Sequence, residues 1–245
     1  CLVHTSGLTP DNALSDYDHG PEEAWTRICA LGLRSNPGEK FAYSDVGYIV
    51  LGKLIERVSG TTLDQYALET VFIPMEMDET TFNPSESLRV RAAPTEKQGD
   101  QYLRGRVHDP RSARLEGVAG HAGLFSTAAD LVTYGRHLLR SAKGKSDVMN
   151  QDTFEAMTAA RTVPRGTRTY GWDHRSPYSR NRGESLSDAA FGHGGFTGTV
   201  LWIDPEQDLI FVFLSSRLHP DGEGSVNTLA GKIVTLVAQG WRAEH

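Results

Sequence analysis

The stretch FGHGGFTGTVLWIDPEQDLIFVFLSSR, residues 191–217, decides how the rest of the chain is read. GTVLWI (198–203) and LIFVFL (209–214) are dense in β-branched and aromatic residues, and Asp204-Pro-Glu-Gln-Asp208 between them carries residues that turns favour. Two apolar runs joined in this way predict an antiparallel hairpin whose strands are apolar enough to lie centrally in a sheet. Just ahead of it, Gly192, Gly194 and Gly195 surround His193. Glycine has no Cβ, so this strand edge lets another backbone or a ligand come close; a bulged edge with an incidental histidine is the plainer alternative.

Outward from the hairpin the pattern turns helical. YSDVGYIVLGKLIERVSG, residues 43–60, has Ser44 as a cap, Val46, Ile49, Val50, Leu54, Ile55 and Val58 at helical spacing, and Gly60 as the stop. TTLDQYALETVF, residues 61–72, predicts a second helix capped by Thr61 or Thr62 and ended by Pro74. Residues 75–120 are rich in Pro, Gly, Arg and Glu with little periodicity and read as loops holding short ordered pieces. STAADLVTYGRHLLRS, residues 126–141, restarts a helix: Thr127 and Asp130 form a capping-box-like pair, and Leu131, Tyr134 and Leu138 mark its buried face. SVNTLAGKIVTLVAQGW, residues 225–241, predicts a final amphipathic helix built on Val226, Leu229, Ile233, Leu236 and Val237. Helices first, strands later and then a helix to cover a sheet face favour α+β. The expectation is one domain over 1–245, mainly helical over about 1–160, with the sheet hairpin and last helix over about 161–245.

A chain of 245 residues, 38% hydrophobic and 23% charged, is long enough to bury a substantial core. A net charge of −6 argues against a general nucleic-acid-binding surface, since a phosphate backbone would be repelled. Residues 161–182, RTVPRGTRTYGWDHRSPYSRNR, run against that balance with six Arg and one Asp. They read as a solvated basic loop, with contact to an anionic substrate group as the alternative. The longest apolar stretch, Leu209–Leu214, falls far short of the roughly 20 residues that cross a bilayer, so no transmembrane segment is expected. Cys1 and Cys29 are too few for a disulfide framework or a zinc ribbon.

Tyr43 stands at the start of the 43–60 helix. A phenol near a helix start and near cations is open to partial ionisation and to work as a proton acceptor; a packed tyrosine beside a capping serine is the alternative. Taken together and in order, LVHTSGL (2–8), the 43–60 stretch, GLFSTAADLVTYGR (123–136) and GHGGFTGT (192–199) resemble segments of the penicillin-recognising serine hydrolases of the class C β-lactamase type. That family holds β-lactamases, D-alanyl-D-alanine peptidases and carboxylesterases, and the resemblance runs over nearly the whole chain.

The resemblance implies a β-lactamase/transpeptidase-like fold, a helical region plus an antiparallel sheet flanked by helices. It implies cofactor-free acyl-enzyme chemistry on an ester or a D-amino-acid peptide, a small molecule or a peptidoglycan peptide, in a periplasmic or secreted protein. Tyr43 matches the family's general base. Asp45 stands where many members have Asn. His193-Gly194-Gly195 matches the Lys-Thr-Gly element with His for Lys, and the N–H of Phe196 would be one of two oxyanion donors. Asp for Asn replaces an amide donor with a carboxylate, and His for Lys makes a permanent charge titratable. Both weaken the case for true β-lactam hydrolysis and leave ester or peptide cleavage.

The family's remaining element, Ser-x-x-Lys, does not occur in the sequence. Three places before Lys40, Lys53, Lys97, Lys143, Lys145 and Lys232 stand Pro37, Val50, Pro94, Arg140, Ala142 and Leu229. Ser6 has Thr9 in the activating position, and an unactivated hydroxyl is a weak nucleophile. The resemblance puts the motif upstream of HTSGL. The chain is therefore expected to be a fragment lacking the nucleophile and the family's N-terminal helix and strands, inactive alone and left with an aggregation-prone strand edge. A catalytically silent member that binds cell-wall peptide is the alternative. Finally, VHD (107–109) and GHAG (120–123) supply His108, Asp109 and His121, whose spacing fits no closed zinc pattern. They read as satisfied loop histidines, and no metal site is expected.

Overall fold

Ser44 opens the first long helix where the sequence places it. In the computed structural model, which describes residues 1–244, Ser44 Oγ accepts from the N–H of Gly47 at 2.9 Å, and Gly60 closes the helix in the left-handed region. Among the described residues the α-helices are α1 (Pro21–Cys29), α2 (Asp45–Ser59), α3 (Leu63–Ala67), α4 (Glu86–Arg89), α5 (Pro110–Arg114), α6 (Ala128–Ala142), α7 (Gln151–Thr158) and α8 (Asn227–Glu244). The strands are β1 (Thr81–Phe82), β2 (Pro94–Gln98), β3 (Gln101–Arg104), β4 (Leu124–Phe125), β5 (Arg161–Val163), β6 (Gly166–Arg168), β7 (Asp173–Arg175), β8 (Phe191–Gly194), β9 (Val200–Asp204) and β10 (Leu209–Phe213).

The hairpin read from 198–214 forms as β9–β10, with Val200 opposite Phe213 and Asp204 opposite Leu209. Asp204 also builds the turn: its Oδ1 accepts from the N–H groups of Glu206 and Gln207 at 3.2 and 3.1 Å. The hairpin is one end of a six-stranded antiparallel sheet of order β10-β9-β8-β7-β6-β5, in which β10 pairs with β9 alone among the described residues. Alternation along β9 sends Val200 and Trp202 to one face, where Ala230, Val234 and Ala238 of α8 cover them. Ile203 goes to the other face, where Leu138 and Leu139 of α6 and Phe154 of α7 pack. A separate cluster, Tyr17, Ala24, Ile28, Val46 and Ile49, joins α1 to α2. The chain is thus α+β, a sheet flanked by helices beside a helical region. None of the described helices is long and apolar enough to cross a membrane.

Four local expectations need correction. Residues 161–182 are not a solvated loop: they supply β5, β6 and β7, and Arg168 and Arg182 are buried. Strands of three residues are too short to show a period, and buried guanidiniums break the apolar-inside rule that pattern reading relies on. Arg168 Nη1 meets Asp173 Oδ1 at 3.3 Å, and Arg182 Nη2 donates to the carbonyls of Leu186 and Ser187.

The buried face of α8 is Ala230, Val234 and Ala238, while Leu229, Leu236 and Val237 are exposed. Small residues let this helix lie close to the sheet, so apolar size is a poor guide to which side faces in. The predicted 61–72 helix is α3 followed by a π-helical stretch, Leu68–Phe72, and Thr62 caps it without a side-chain bond. Asp130, rather than reaching back along its own helix, accepts through Oδ2 from Glu79 N and Thr80 Oγ1 at 2.9 and 2.7 Å, tying α6 to the turn before β1.

Candidate active site

The first turn of α2 is anchored through Ser44, and that anchor aims its neighbours. Ser44 is buried; its N–H donates to Nδ1 of His4 at 2.9 Å and its Oγ donates to the carbonyl of Thr9 at 2.6 Å. Tyr43 and Asp45, on either side, are left to line a cleft of about 1070 Å³. From the sheet, β8 brings His193 to the same cleft, and the Tyr43 and His193 rings lie 6.0 Å apart, tilted by 38°. The two residues expected to do chemistry therefore meet. A second cavity of about 390 Å³ shares Tyr43, His193 and Phe196 and reaches Arg217 and Asn227.

Glycines around His193 are required by contact. A Cβ on Gly194 would strike the side chain of Asn181, and one on Gly195 would strike Thr199 Oγ1. Asn181 is held in turn, since its Oδ1 accepts from the indole N–H of Trp202 at 3.1 Å. Gly195 N donates to Thr199 O at 2.7 Å, closing the loop that carries Phe196. The Phe196 ring is exposed; it lies 4.2 Å from the Arg217 guanidinium and 5.6 Å from the His108 ring, and its carbonyl accepts from Arg217 Nε at 2.6 Å. Its own N–H makes no hydrogen bond among the described residues and remains free to meet an anion.

Two residues that sequence reading passed over complete the site. His4 stacks on Tyr43 at 4.2 Å and on Tyr48 at 5.0 Å. Arg168, fully buried, sets its guanidinium 5.9 Å from the Tyr43 ring and 6.0 Å from Phe41. His4 lies inside the LVHTSGL segment, so the signal was there without a role attached; Arg168 is one arginine among six and nothing local marks it.

These neighbours set the charge states. Burial first, and then the Asp45 carboxylate, push the Tyr43 phenol up to about 12, with Arg168 pulling the other way. The cation near Tyr43 does not overcome burial, so the partial ionisation expected from sequence is not met within these residues. Burial and then Arg168 hold the His193 imidazole below its ordinary range, against Asp173 and the Gly194 carbonyl. His193 Nδ1 lies 2.9 Å from that carbonyl; a carbonyl only accepts, so Nδ1 carries the proton and Nε2 keeps a lone pair.

Asp45 also comes close to Asp109 and His121, with one side-chain ligand atom of each within 4.8 Å of the others, whereas His108 meets Glu96 Oε2 at 3.2 Å. Burial raises the Asp45 carboxyl, with Asp11 and Asp109 adding and His121 opposing.

Residues 2–235 match the Beta-lactamase family. Among curated proteins, the chain is 30% identical over 262 residues to the N-acetylmuramyl-L-alanine amidase of Bacillus subtilis, covering 94% of this chain and 58% of that protein. It is 30% identical over 272 residues to an Escherichia coli K12 protein provisionally named D-alanyl-D-alanine carboxypeptidase, covering 98% and 62%. The chain thus spans about three-fifths of the length of these relatives. Among solved structures, a simvastatin synthase mutant from Aspergillus terreus superposes with a TM-score of 0.71 at 19% identity, covering 99% of this chain and 65% of that one. A penicillin-binding protein homologue from Caulobacter crescentus gives 0.68 at 16% identity, covering 95% and 69%. The structural likenesses speak for the fold, and the sequence match over most of the chain goes further: the chain belongs to the Beta-lactamase family.

Proposed function

We propose that this chain is the larger part of a serine hydrolase that works through an acyl-enzyme on an ester or a D-amino-acid peptide, its attacking Ser and accompanying Lys being supplied by sequence ahead of Cys1. One observation carries the reading: Tyr43 from the first helical turn and His193 from the sheet stand 6.0 Å apart on one cleft, with the unpaired Phe196 N–H on the same wall. Tyr43 takes the serine proton, Phe196 N–H receives oxyanion charge, and His193, neutral with a lone pair on Nε2, assists proton movement. Gly194 and Gly195 let the acyl group approach the strand, and Asp45 borders it. A phenol at about 12 is protonated at neutral pH, so the base needs a further cation to bring it down. The ammonium of the Ser-x-x-Lys motif is that cation, which makes these residues alone inactive.

The relatives' names, a muramyl-alanine amidase and a D-alanyl-D-alanine carboxypeptidase, support a peptidoglycan-peptide substrate and a periplasmic or secreted site of action. A second reading is a member that binds cell-wall peptide without cleaving it. The coding sequence ahead of Cys1 separates the two: Ser-x-x-Lys supports the hydrolase, and its lack supports the silent binder. In the full gene product, Tyr43→Phe should lower turnover of an aryl acetate and of a D-alanyl-D-alanine peptide about a hundredfold or more. Unchanged turnover removes Tyr43 from the mechanism, and the better of the two substrates assigns the class.

A further inference from the structure

The turn that carries the Phe196 N–H is held by its carbonyls. Gly195-Phe196-Thr197-Gly198 closes through Gly198 N, which donates to Gly195 O at 3.1 Å, and Gly195 N donates to Thr199 O at 2.7 Å. The segment after β10 takes the three carbonyls between them. Phe196 O accepts from Arg217 Nε at 2.6 Å, Thr197 O from the main-chain N–H of Arg217 at 2.9 Å, and Gly198 O from Ser215 Oγ at 2.6 Å. Every carbonyl from 195 to 199 therefore has a donor, whereas the Phe196 N–H has no acceptor among the described residues.

Arg217 reaches further than these two bonds. Its guanidinium lies 4.2 Å from the Phe196 ring, and Nη1 donates to Gly222 O and Gly224 O at 3.3 and 3.1 Å, so one side chain joins the turn to the loop ahead of α8. The two segments pass so closely that a Cβ on Gly198 would come 2.9 Å from Arg217 N and 2.8 Å from Ser215 Oγ. A turn with Gly at both ends is by itself a loose support for a donor, because glycine has the most conformational freedom to lose. A peptide unit is planar, so a bound carbonyl also fixes the N–H at the other end of its plane. Gly195 O fixes the plane that contains the Phe196 N–H, and Phe196 O and Thr197 O fix the two planes after it. Arg217 also lines the smaller cavity, where a guanidinium would suit an anionic group, yet only its Nη2 lacks an acceptor among the described residues.

We propose that Arg217 is the positioning residue of this turn: by holding the Phe196 and Thr197 carbonyls it keeps the Phe196 N–H in one orientation on the cleft wall, ready for oxyanion charge. The charge that the N–H receives rests on the hydrolase reading; the hold on the turn does not. A preorganised donor is worth about a hundredfold or more in turnover, and it gives that advantage only when it is already in place as charge develops. The arginine lies outside the GHGGFTGT stretch, and its partners come together only when β10 returns beside β9.

Two conservative variants separate a hydrogen-bond hold from a charge. The side-chain nitrogen of Gln falls where Nε of Arg stands, so Arg217→Gln keeps the donor to Phe196 O and loses the charge. Arg217→Lys keeps the charge and puts a methylene at that place. In the full gene product, Arg217→Lys should lower kcat on a neutral aryl acetate about tenfold or more with KM within about twofold, and Arg217→Gln should stay within about threefold of the parent. Amide hydrogen exchange over 195–199, read by mass spectrometry, should quicken about tenfold in Arg217→Lys and much less in Arg217→Gln. Turnover kept in Arg217→Lys and lost in Arg217→Gln would make the arginine a cation for the ligand and overturn the inference, as would exchange unchanged in Arg217→Lys. A parent without turnover would sink the hydrolase reading alone, and exchange would still decide whether Arg217 holds the turn.

Discussion

The N–H of Ser44 donates to Nδ1 of His4 across 2.9 Å, and this bond joins the start of the chain to the first turn of α2. It holds only while the imidazole is neutral, because a protonated Nδ1 would present a hydrogen to a hydrogen. The same ring stacks on Tyr43 and Tyr48, so its charge state bears on where the tyrosines of the cleft sit.

Acid should therefore loosen this end of the protein. Burial first, then Arg168 and His193, lower the His4 pKa from 6.5 to about 3. Between those values the unfolded chain binds a proton that the folded chain refuses. The contribution is thus complete above 6.5 and shrinks as pH falls toward 3, by about 1.4 kcal/mol per pH unit. Asn at position 4 can accept from Ser44 without titrating. Urea unfolding at several pH values from 7 down to about 4 should show a slope shallower by that amount in His4→Asn. Parallel slopes would take His4 out of the acid response.

A second pH dependence concerns rate, in the full gene product. Since burial and Arg168 hold the His193 imidazole below its ordinary range, it stays neutral as pH drops through the usual histidine range. The acid limb of kcat/KM should fall below the pKa of a free imidazole, and His193→Lys should abolish that limb by restoring a permanent charge. An acid limb that survives His193→Lys unchanged belongs to another group.

Several of these features were legible in the sequence and others were not, for reasons that differ. Ser44, Gly60, Thr127 and the β9–β10 hairpin follow from local rules, a cap, a left-handed stop and alternation, and each is found where those rules put it. The Tyr43–His193 meeting was reached through resemblance, since no local rule relates a helix start to a distant strand. Arg168 and the Asp45–Asp109–His121 cluster were missed because both depend on contacts between segments far apart in sequence, which spacing cannot express. The α8 face was misjudged for a packing reason: close approach favours Ala over Leu.

That last point can be tested by stability alone. Val234 is fully buried between α8 and the sheet, while the Leu236 side chain is 68% exposed. Val234→Ala should cost about 2 kcal/mol in urea unfolding, and Leu236→Ala less than about 0.5 kcal/mol. The reverse order would mean that the helix presents its larger apolar residues to the sheet.

The buried pair beneath the site supplies the remaining prediction. Arg168 and Asp173 are both inaccessible, their closest atoms 3.3 Å apart, and Asp173 also accepts from His174 N at 2.9 Å and from Ser179 Oγ at 2.8 Å. Arg168, by contrast, has Nε and Nη2 without partners among the described residues. Removing the arginine strands a buried carboxylate, whereas removing both charges strands neither. Arg168→Met should therefore cost about 3 kcal/mol or more, and Arg168→Met with Asp173→Asn should recover part of it, because the amide still accepts through its oxygen. Arg168 also pulls the Tyr43 phenol down from where burial puts it, so in the double variant the phenol should ionise at higher pH, read by ultraviolet difference titration. If the two changes simply add, with no recovery, the pair is not coupled and Arg168 is held in place by its stacking on Phe41 and Tyr43 instead.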